Sequence, residues 1–344
     1  MTQLFLQDSV TFMNQMIQNP PGAIVGPISV VLGAIIDFIY GIVSSVPGAL
    51  GISIIIMTII VRTALLPTAF KMQRNMMKTR AMQPEMAKIR EKYGNSKDPE
   101  MRRKMSAEMQ ALQSRHGVNM LASCLPMLIT WPLFIALFQV LGQAFMFVGS
   151  IGEAYSAISH ILMAEGSQFL SDVVGPLVQP YVPVNMVFDM TASVENMNRA
   201  IHVLSPENWD IIVSQVAVEQ QANLRGLLDQ KGSILTFFGL NLVAPAGYLW
   251  PGIILPVLSA GTMFLSQFLM MRSNPSTDPQ QQNIQRVTMI LFPIMFGFFT
   301  IQAAAGVGLY WVMLNVYMIV QHYFINRYYV KKDAENQADG KAKA

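Results

Sequence analysis

The sequence predicts an all-α polytopic membrane protein, with a five-helix transmembrane core, a cytoplasmic helical hairpin and an interfacial N-terminal helix. Composition is the first reason. Of 344 residues, 52% are hydrophobic and 12% charged, with mean hydropathy +0.39, whereas soluble domains carry about 25% charged residues. Recurrent apolar runs near the bilayer-spanning length of about 20 residues are the second. The third is how the charge is distributed. The net charge is only +3, but residues 71–115 hold twelve Lys/Arg against five acids, and residues 149–247 hold three against nine.

Residues 1–47 are expected to be an exported segment. Met1–Pro21 lacks the basic start of a secretory signal peptide, and no Lys or Arg precedes Arg62. Pro27–Val46 is apolar on every side except for Asp37. Its length alone permits a sixth span, but the charge and the Pro47-Gly48 break favour a helix lying in the outer interface.

Residues 48–70 form the first expected span, and Arg62 sits inside it. An arginine near a helix centre costs about 2.5–3.5 kcal/mol on insertion scales. The next cation, Lys71, lies about 13 Å further along a helix axis, so snorkelling recovers part of the depth and not all of it. The candidate spans offer no Asp or Glu as a partner. Such a charge points to a water-accessible functional arginine.

Residues 71–117 read as a basic hairpin, cytoplasmic by the positive-inside rule. Gly94–Pro99 is its turn, and Pro84 is expected to interrupt the first arm. Met82, Met86, Ile89 and Tyr93 share one face, and Met101, Met105, Met109 and Leu112 share another. Residues 118–148 are the second span, with Pro126 and Pro132. Residues 149–247 are an extracytoplasmic helical insertion. Within it, Ser205-Pro206 caps a helix whose apolar face is Trp209, Ile212, Val213, Val216, Leu224 and Leu227, closed near Gly232. This face is expected to be buried. The insertion reads either as a cap over the outer span ends or as a docking surface for clients or another translocation component.

The third span is 248–271, followed by a cytoplasmic loop at 272–286, spans at 287–303 and 306–326, and a cytoplasmic tail at 327–344. Five spans put the N-terminus outside and the C-terminus inside, so the two most basic segments share one side. The lone Cys124 excludes an intramolecular disulfide framework and a multi-thiolate metal site. No cofactor or metal is expected.

Polar side chains punctuate the spans: Thr58 and Arg62 in the first, Thr130 and Gln139 in the second, Thr262, Ser266 and Gln267 in the third, and Asn315 in the fifth. Each alone reads as inter-helix glue worth about 1 kcal/mol. Together with an unpaired arginine they suggest a hydrated cavity.

Several motifs then fall in a familiar order. They are Arg62-Thr-Ala-Leu-Leu-Pro67, Gln83-Pro84-Glu85-Met86, Lys92-Tyr93, His116-Gly-Val-Asn119 before Leu125-Pro126, and Trp131-Pro-Leu-Phe134. The C-terminal half adds Asp278-Pro-Gln-Gln281, Phe292-Pro293 and Gly308-Leu-Tyr-Trp311 with Asn315 and Gln321. Over about Gly26–Ala144 and Leu240–Tyr329 the chain resembles the YidC membrane protein insertases, in their Gram-positive type. The resemblance implies a hydrophilic groove open to the cytoplasm and the lipid. In it, Arg62 attracts polar or acidic client segments, and Gln267, Tyr310 and Trp311 line further positions. It also implies nascent membrane proteins as clients and the bilayer as surroundings. The ribosome, through the hairpin and tail, and the Sec translocon are candidate partners, and no nucleic-acid sequence is read. The insertion at 149–247 is longer than the family's usual connection.

Other classes fit less well. No enzyme is expected: the histidines lie outside the spans or at their ends, no span pairs aspartates, and no Gly-Lys-Ser/Thr phosphate loop is present. The remaining alternative is an anion or small-solute transporter using the arginine-lined cavity.

Overall fold

The structure, a computed structural model, describes residues 22, 24–94, 98–117, 121–181, 189–273 and 279–342, with the backbone alone at 80, 121–129, 181, 279–281 and 330–342. The expected exported leader 1–21, part of the hairpin turn and part of the 272–286 loop lie outside the described residues. So does the side chain of Cys124.

Helices dominate. Those of nine residues or more are, in chain order, α1 (Val25–Val43), α2 (Ala49–Ala64), α3 (Leu66–Tyr93), α4 (Pro99–Arg115), α5 (Leu121–Gly142), α6 (Gly149–Ala164), α7 (Val194–His202), α8 (Pro206–Gln215) and α9 (Val218–Leu235). A two-stranded antiparallel ribbon follows, β1 (Thr236–Phe237) and β2 (Leu240–Asn241), with Thr236 opposite Asn241. The last helices are α10 (Ile254–Ser273), α11 (Pro279–Gln302) and α12 (Ala305–Ala342). By length and composition α1, α10 and residues 282–302 of α11 can each cross a bilayer, and the bent pair α2–α3 makes a fourth. The apolar stretch Thr130–Gly142 of α5 is shorter.

Several boundaries differ from expectation. Pro84 lies inside α3 and does not interrupt it. The break falls instead at Leu65, where α2 and α3 meet at 55°. Pro67 in the first turn of α3 lacks the N–H that would continue the α2 ladder. The helix expected as the second span, α5, ends at Gly142, and a one-turn helix, Ala144–Phe147, separates it from α6. The helix expected as the third span, α10, begins at Ile254 and not at Tyr248, because Gly247 takes a left-handed conformation (φ 74°) and the chain from 246 to 252 is looped. The expected tail continues α12 without a break to Ala342. The insertion helix expected over 206–230 is two helices that part at Val216-Ala217, and Gly232 lies within α9.

The chain divides into two units. The first comprises residues 1–57, 132–252 and 301–307. Its core includes Ile36, Leu50, Ile54, Leu141, Ile158 and Ile201, all at most 1% exposed. Helix α1 packs along the end of α5 and the turn after it. Ser29 donates to the Gln139 Oε1 at 3.1 Å, and Gly33 lies so close to Phe147 that a Cβ would meet its ring at 2.6 Å. The Asp37 carboxylate accepts from the Gly149 N–H at 2.8 Å, at the N-terminus of α6.

Helix α6 is the axis of the helical insertion. Its Ser159 donates to Asn198 of α7 at 2.7 Å, and Tyr155 stacks on Phe145. Helix α8 opens on a capping box, Ser205 with Asn208, as the Ser-Pro sequence predicts. Of the expected apolar face, Trp209, Ile212, Val213, Val216 and Leu224 are buried and Leu227 is half-buried. Beside it the Lys231 ammonium sits 4.5 Å from the Trp209 ring centre and 5.1 Å from that of Tyr155. Burial lowers the Lys231 pKa to about 8 and pushes the Tyr155 phenol up. His202 is enclosed by Phe145 and Tyr155, whose hydroxyl meets its Nδ1 at 3.1 Å, and its ring also bonds the backbone at Gly142. Burial, then the Lys231 charge, lowers the His202 pKa to about 4, so the ring is neutral at pH 7.

The second unit comprises residues 58–131, 253–300 and 308–344. Helices α3 and α4 form its antiparallel hairpin. Met82 and Leu112 are buried along the seam, Met86 and Met105 half-buried, and Met101 exposed. Tyr93 and Lys92 both donate to Glu108 across the seam, the phenol at 2.7 Å. Elsewhere α10, α11 and α12 pack closely. Gly308 is required where they meet, since a Cβ would lie 2.7 Å from Thr300 Cγ2 and 3.4 Å from Leu255 Cβ.

Candidate functional site

Most of the polar residues expected in the spans lie in the second unit: Thr58, Arg62, Thr130, Gln267, Tyr310, Trp311 and Asn315. Arg62 stands in the last turn of α2, just before the bend at Leu65. The break at Leu65, with Pro67 in the first turn of α3, is what carries the arginine to a helix end.

The arginine is half-buried, and its Nε is a buried donor with no hydrogen-bond partner among the described residues. The Tyr310 hydroxyl is in the same condition. The guanidinium lies within hydrogen-bonding reach of the Tyr310 hydroxyl, but the geometry falls short of a formed bond, and neither Arg62 Nε nor the Tyr310 hydroxyl is satisfied among the described residues. Leaving a buried donor unmet costs about 1–3 kcal/mol, more when it is charged. Two such atoms side by side mark a place for water or for a polar guest.

Around this pair the unit supplies further hydroxyl and amide groups. The Asn315 Nδ2 donates to Thr262 Oγ1 at 3.3 Å, tying α12 to α10. Thr63 and Tyr317 meet through their hydroxyls at 3.1 Å. Tyr317 was not anticipated from the sequence, although it follows Tyr310 by seven residues and so shares its helix face. Thr58 is fully buried one turn before Arg62. Thr130 and Gln267 are half-buried in the same unit, with no hydrogen bond to Arg62 among the described residues.

Two expected site residues have other visible occupations. Trp311 is 9% exposed and packs on α11, with ring centres 4.4 Å from Phe296 and 6.1 Å from Phe299. Gln139 belongs to the first unit, where it receives the Ser29 hydroxyl. Among the described residues no cluster of His, Cys, Asp and Glu could hold a metal ion.

A model of the 60Kd inner membrane protein family matches residues 42–333. The chain is 28% identical to a membrane protein insertase, MisCA, of Bacillus subtilis over 295 residues, which is 85% of this chain and 77% of that protein. It is 26% identical to a membrane protein insertase, YidC 1, of Halalkalibacterium halodurans over 278 residues, 81% of this chain and 70% of that protein. A further relative, the membrane protein insertase YidC of Rickettsia prowazekii, is 26% identical over 85% of this chain, which spans only 37% of that longer protein.

Proposed function

The chain belongs to the 60Kd inner membrane protein family, and from that premise we propose that it is a membrane protein insertase using Arg62 to draw polar or acidic client segments into a hydrated groove. The single observation that carries the groove is the unmet pair at Arg62 and Tyr310. A guest carboxylate about 4 Å from the guanidinium gains roughly 4 kcal/mol at an effective dielectric of 20, against about 1 in bulk water. That difference offsets part of the cost of taking a charged segment out of water. The client's own apolar segment then supplies the driving force by partitioning into lipid, with the membrane potential adding about 2.3 kcal/mol per charge per 100 mV.

In this reading Thr58, Thr63, Tyr317, Asn315, Thr130 and Gln267 keep the groove wet, while Trp311 forms packed wall. With five spans, as the charge distribution supports, the N-terminus is outside and α12 runs inward to an internal C-terminus. The basic α3–α4 hairpin and the end of α12 face the ribosome and nascent chains on the cytoplasmic side. Asp37, used as a cap at the start of the insertion, supports an α1 that rests at the outer interface. The insertion itself serves as an external cap. Sec involvement is a further proposal that the same experiment addresses.

The test is site-specific photo-crosslinking from Gln267 and Thr63 to ribosome-bound nascent membrane proteins. Crosslinks that move along the client as it lengthens are expected, with or without the Sec translocon. An absence of crosslinks, together with Arg62-dependent anion flux in vesicles, would instead establish the transporter.

A further inference from the structure

We propose that the first unit is seated on the outer leaflet by an apolar ledge made of two neighbouring loops, one carrying Phe238 and the other Tyr248, Leu249 and Trp250. The side of the membrane rests on the topology proposed above. The chemistry begins in the sequence: no charged residue occurs between Lys231 and Arg272. This uncharged stretch begins near the end of α9, passes through the β ribbon and the loop, and runs directly into the candidate span α10.

Leu235 and Leu242 of this stretch are buried, but four of its large side chains point away from the unit. Phe238 is 87% exposed and Trp250 80%, with Tyr248 and Leu249 close behind. Phe238 also occupies a left-handed backbone position (φ 48°). A turn needing that conformation ordinarily uses Gly, Asn or Asp, and here it holds the Phe238 ring outward, edge-on to Phe237 with centres 4.7 Å apart. The loops are neighbours: residues 239–241 and 245–252 line one concavity of about 410 Å³, and a Cβ on Gly239 would lie 3.9 Å from Pro251. By contrast the exposed face of α9 carries Glu219, Asn223, Arg225 and Asp229.

Backbone hydrogen bonds fix the height of the ledge. The Ala246 and Gly247 N–H groups donate to Ala303 and Ile301 at 3.1 and 2.9 Å, and those of Ala305 and Gly306 donate to Ala244 and Leu242 at 2.8 Å. Residues 301–306 span the junction between the end of α11, a candidate span, and the start of α12. A turn joining membrane helices lies at the bilayer surface, so the loop bonded to it lies there too. The chain enters α10 at Ile254, two residues after the loop ends. Trp and Tyr concentrate at that depth, where the ring meets acyl chain and the N–H or O–H meets headgroups. An uncharged ledge enters without the desolvation that a Lys or Glu would suffer.

The test uses the full chain with its one cysteine replaced (Cys124→Ser) and a single new cysteine at Phe238, Leu249 or Trp250. Each variant is spin-labelled and reconstituted in phosphatidylglycerol–phosphatidylcholine vesicles, with Asn223→Cys on α9 as the aqueous reference. The ratio of collisions with oxygen to collisions with a water-soluble nickel chelate should be several-fold higher at the ledge positions than at Asn223. Adding Trp250→Asp should lower the ratio at position 238. A ratio equal to that of Asn223 overturns the proposal, and so does exclusion of both reagents, which would mean a protein cover. If one label perturbs folding, judged by gel filtration, the other two positions decide. Client insertion measured on the same vesicles separates the two readings. Intact insertion with an aqueous ledge counts against the ledge alone, and lost insertion with a lipid-seated ledge counts against the groove alone.

Discussion

The Asp37 carboxylate accepts a hydrogen bond from the backbone N–H of Gly149, 112 positions away, at 2.8 Å. A charge within an otherwise apolar helix is thereby explained: it caps the first turn of α6, where N–H groups lack partners within their own helix. Asp37→Ala should cost about 1 kcal/mol, the usual worth of a cap. Limited proteolysis should find the 149–247 region cleaved faster in this variant, whereas Asp37→Asn should be close to the parent.

Arg62 is the charge on which the proposed mechanism depends. Arg62→Ala is expected to impair clients with acidic translocated tails roughly tenfold or more, since removal of about 1.4 kcal/mol already gives that factor. Clients with neutral tails should be affected far less, and Arg62→Lys should retain much of the activity. Insertion assays with matched acidic and neutral tails make the comparison, and equal losses would refute the electrostatic role.

Gly252 precedes α10 with no room for a side chain, because a Cβ there would lie 1.7 Å from the Ala246 carbonyl oxygen. Gly252→Ala must therefore shift the backbone that bonds Ala246 and Gly247 to residues 301–303. A drop in melting temperature of several degrees is expected in detergent, consistent with a loss of one to a few kcal/mol. Gly226→Ala has open space around it and serves as the control.

The enclosed His202 makes the insertion acid-sensitive. Its folded pKa, about 4, lies below the ordinary 6.5 because of burial first and the Lys231 charge second. The unfolded state therefore binds more protons between these values, so its contribution is fully present above pH 6.5 and is lost as pH falls toward 4. The loss amounts to about 3 kcal/mol at most. Lys231, with its pKa lowered to about 8, is already protonated across that window and adds no slope there. Chemical denaturation followed by Trp209 fluorescence should show the decline, and His202→Gln should flatten it.

Sequence alone determined the class of the molecule. Its composition, the charge asymmetry between segments and the anomaly of Arg62 all survive without any neighbour being known, because the cost of a cation in hydrocarbon depends on the helix that carries it. The hairpin seam was legible too, since Met82, Met86 and Met105 repeat at helical spacing, and so was the Ser205 cap. Polar residues whose partners are remote were not legible. Gln139 bonds Ser29 across 110 positions, and no local pattern distinguishes such a pair from a groove lining. Helix breaks at Leu65, Gly142 and Val216 also escaped, because apolar composition runs through them while backbone geometry does not. Periodicity and hydropathy report what a segment prefers within a few turns. Which donor meets which acceptor, and which pair at Arg62 and Tyr310 is left unmet, was decided only when distant segments packed together.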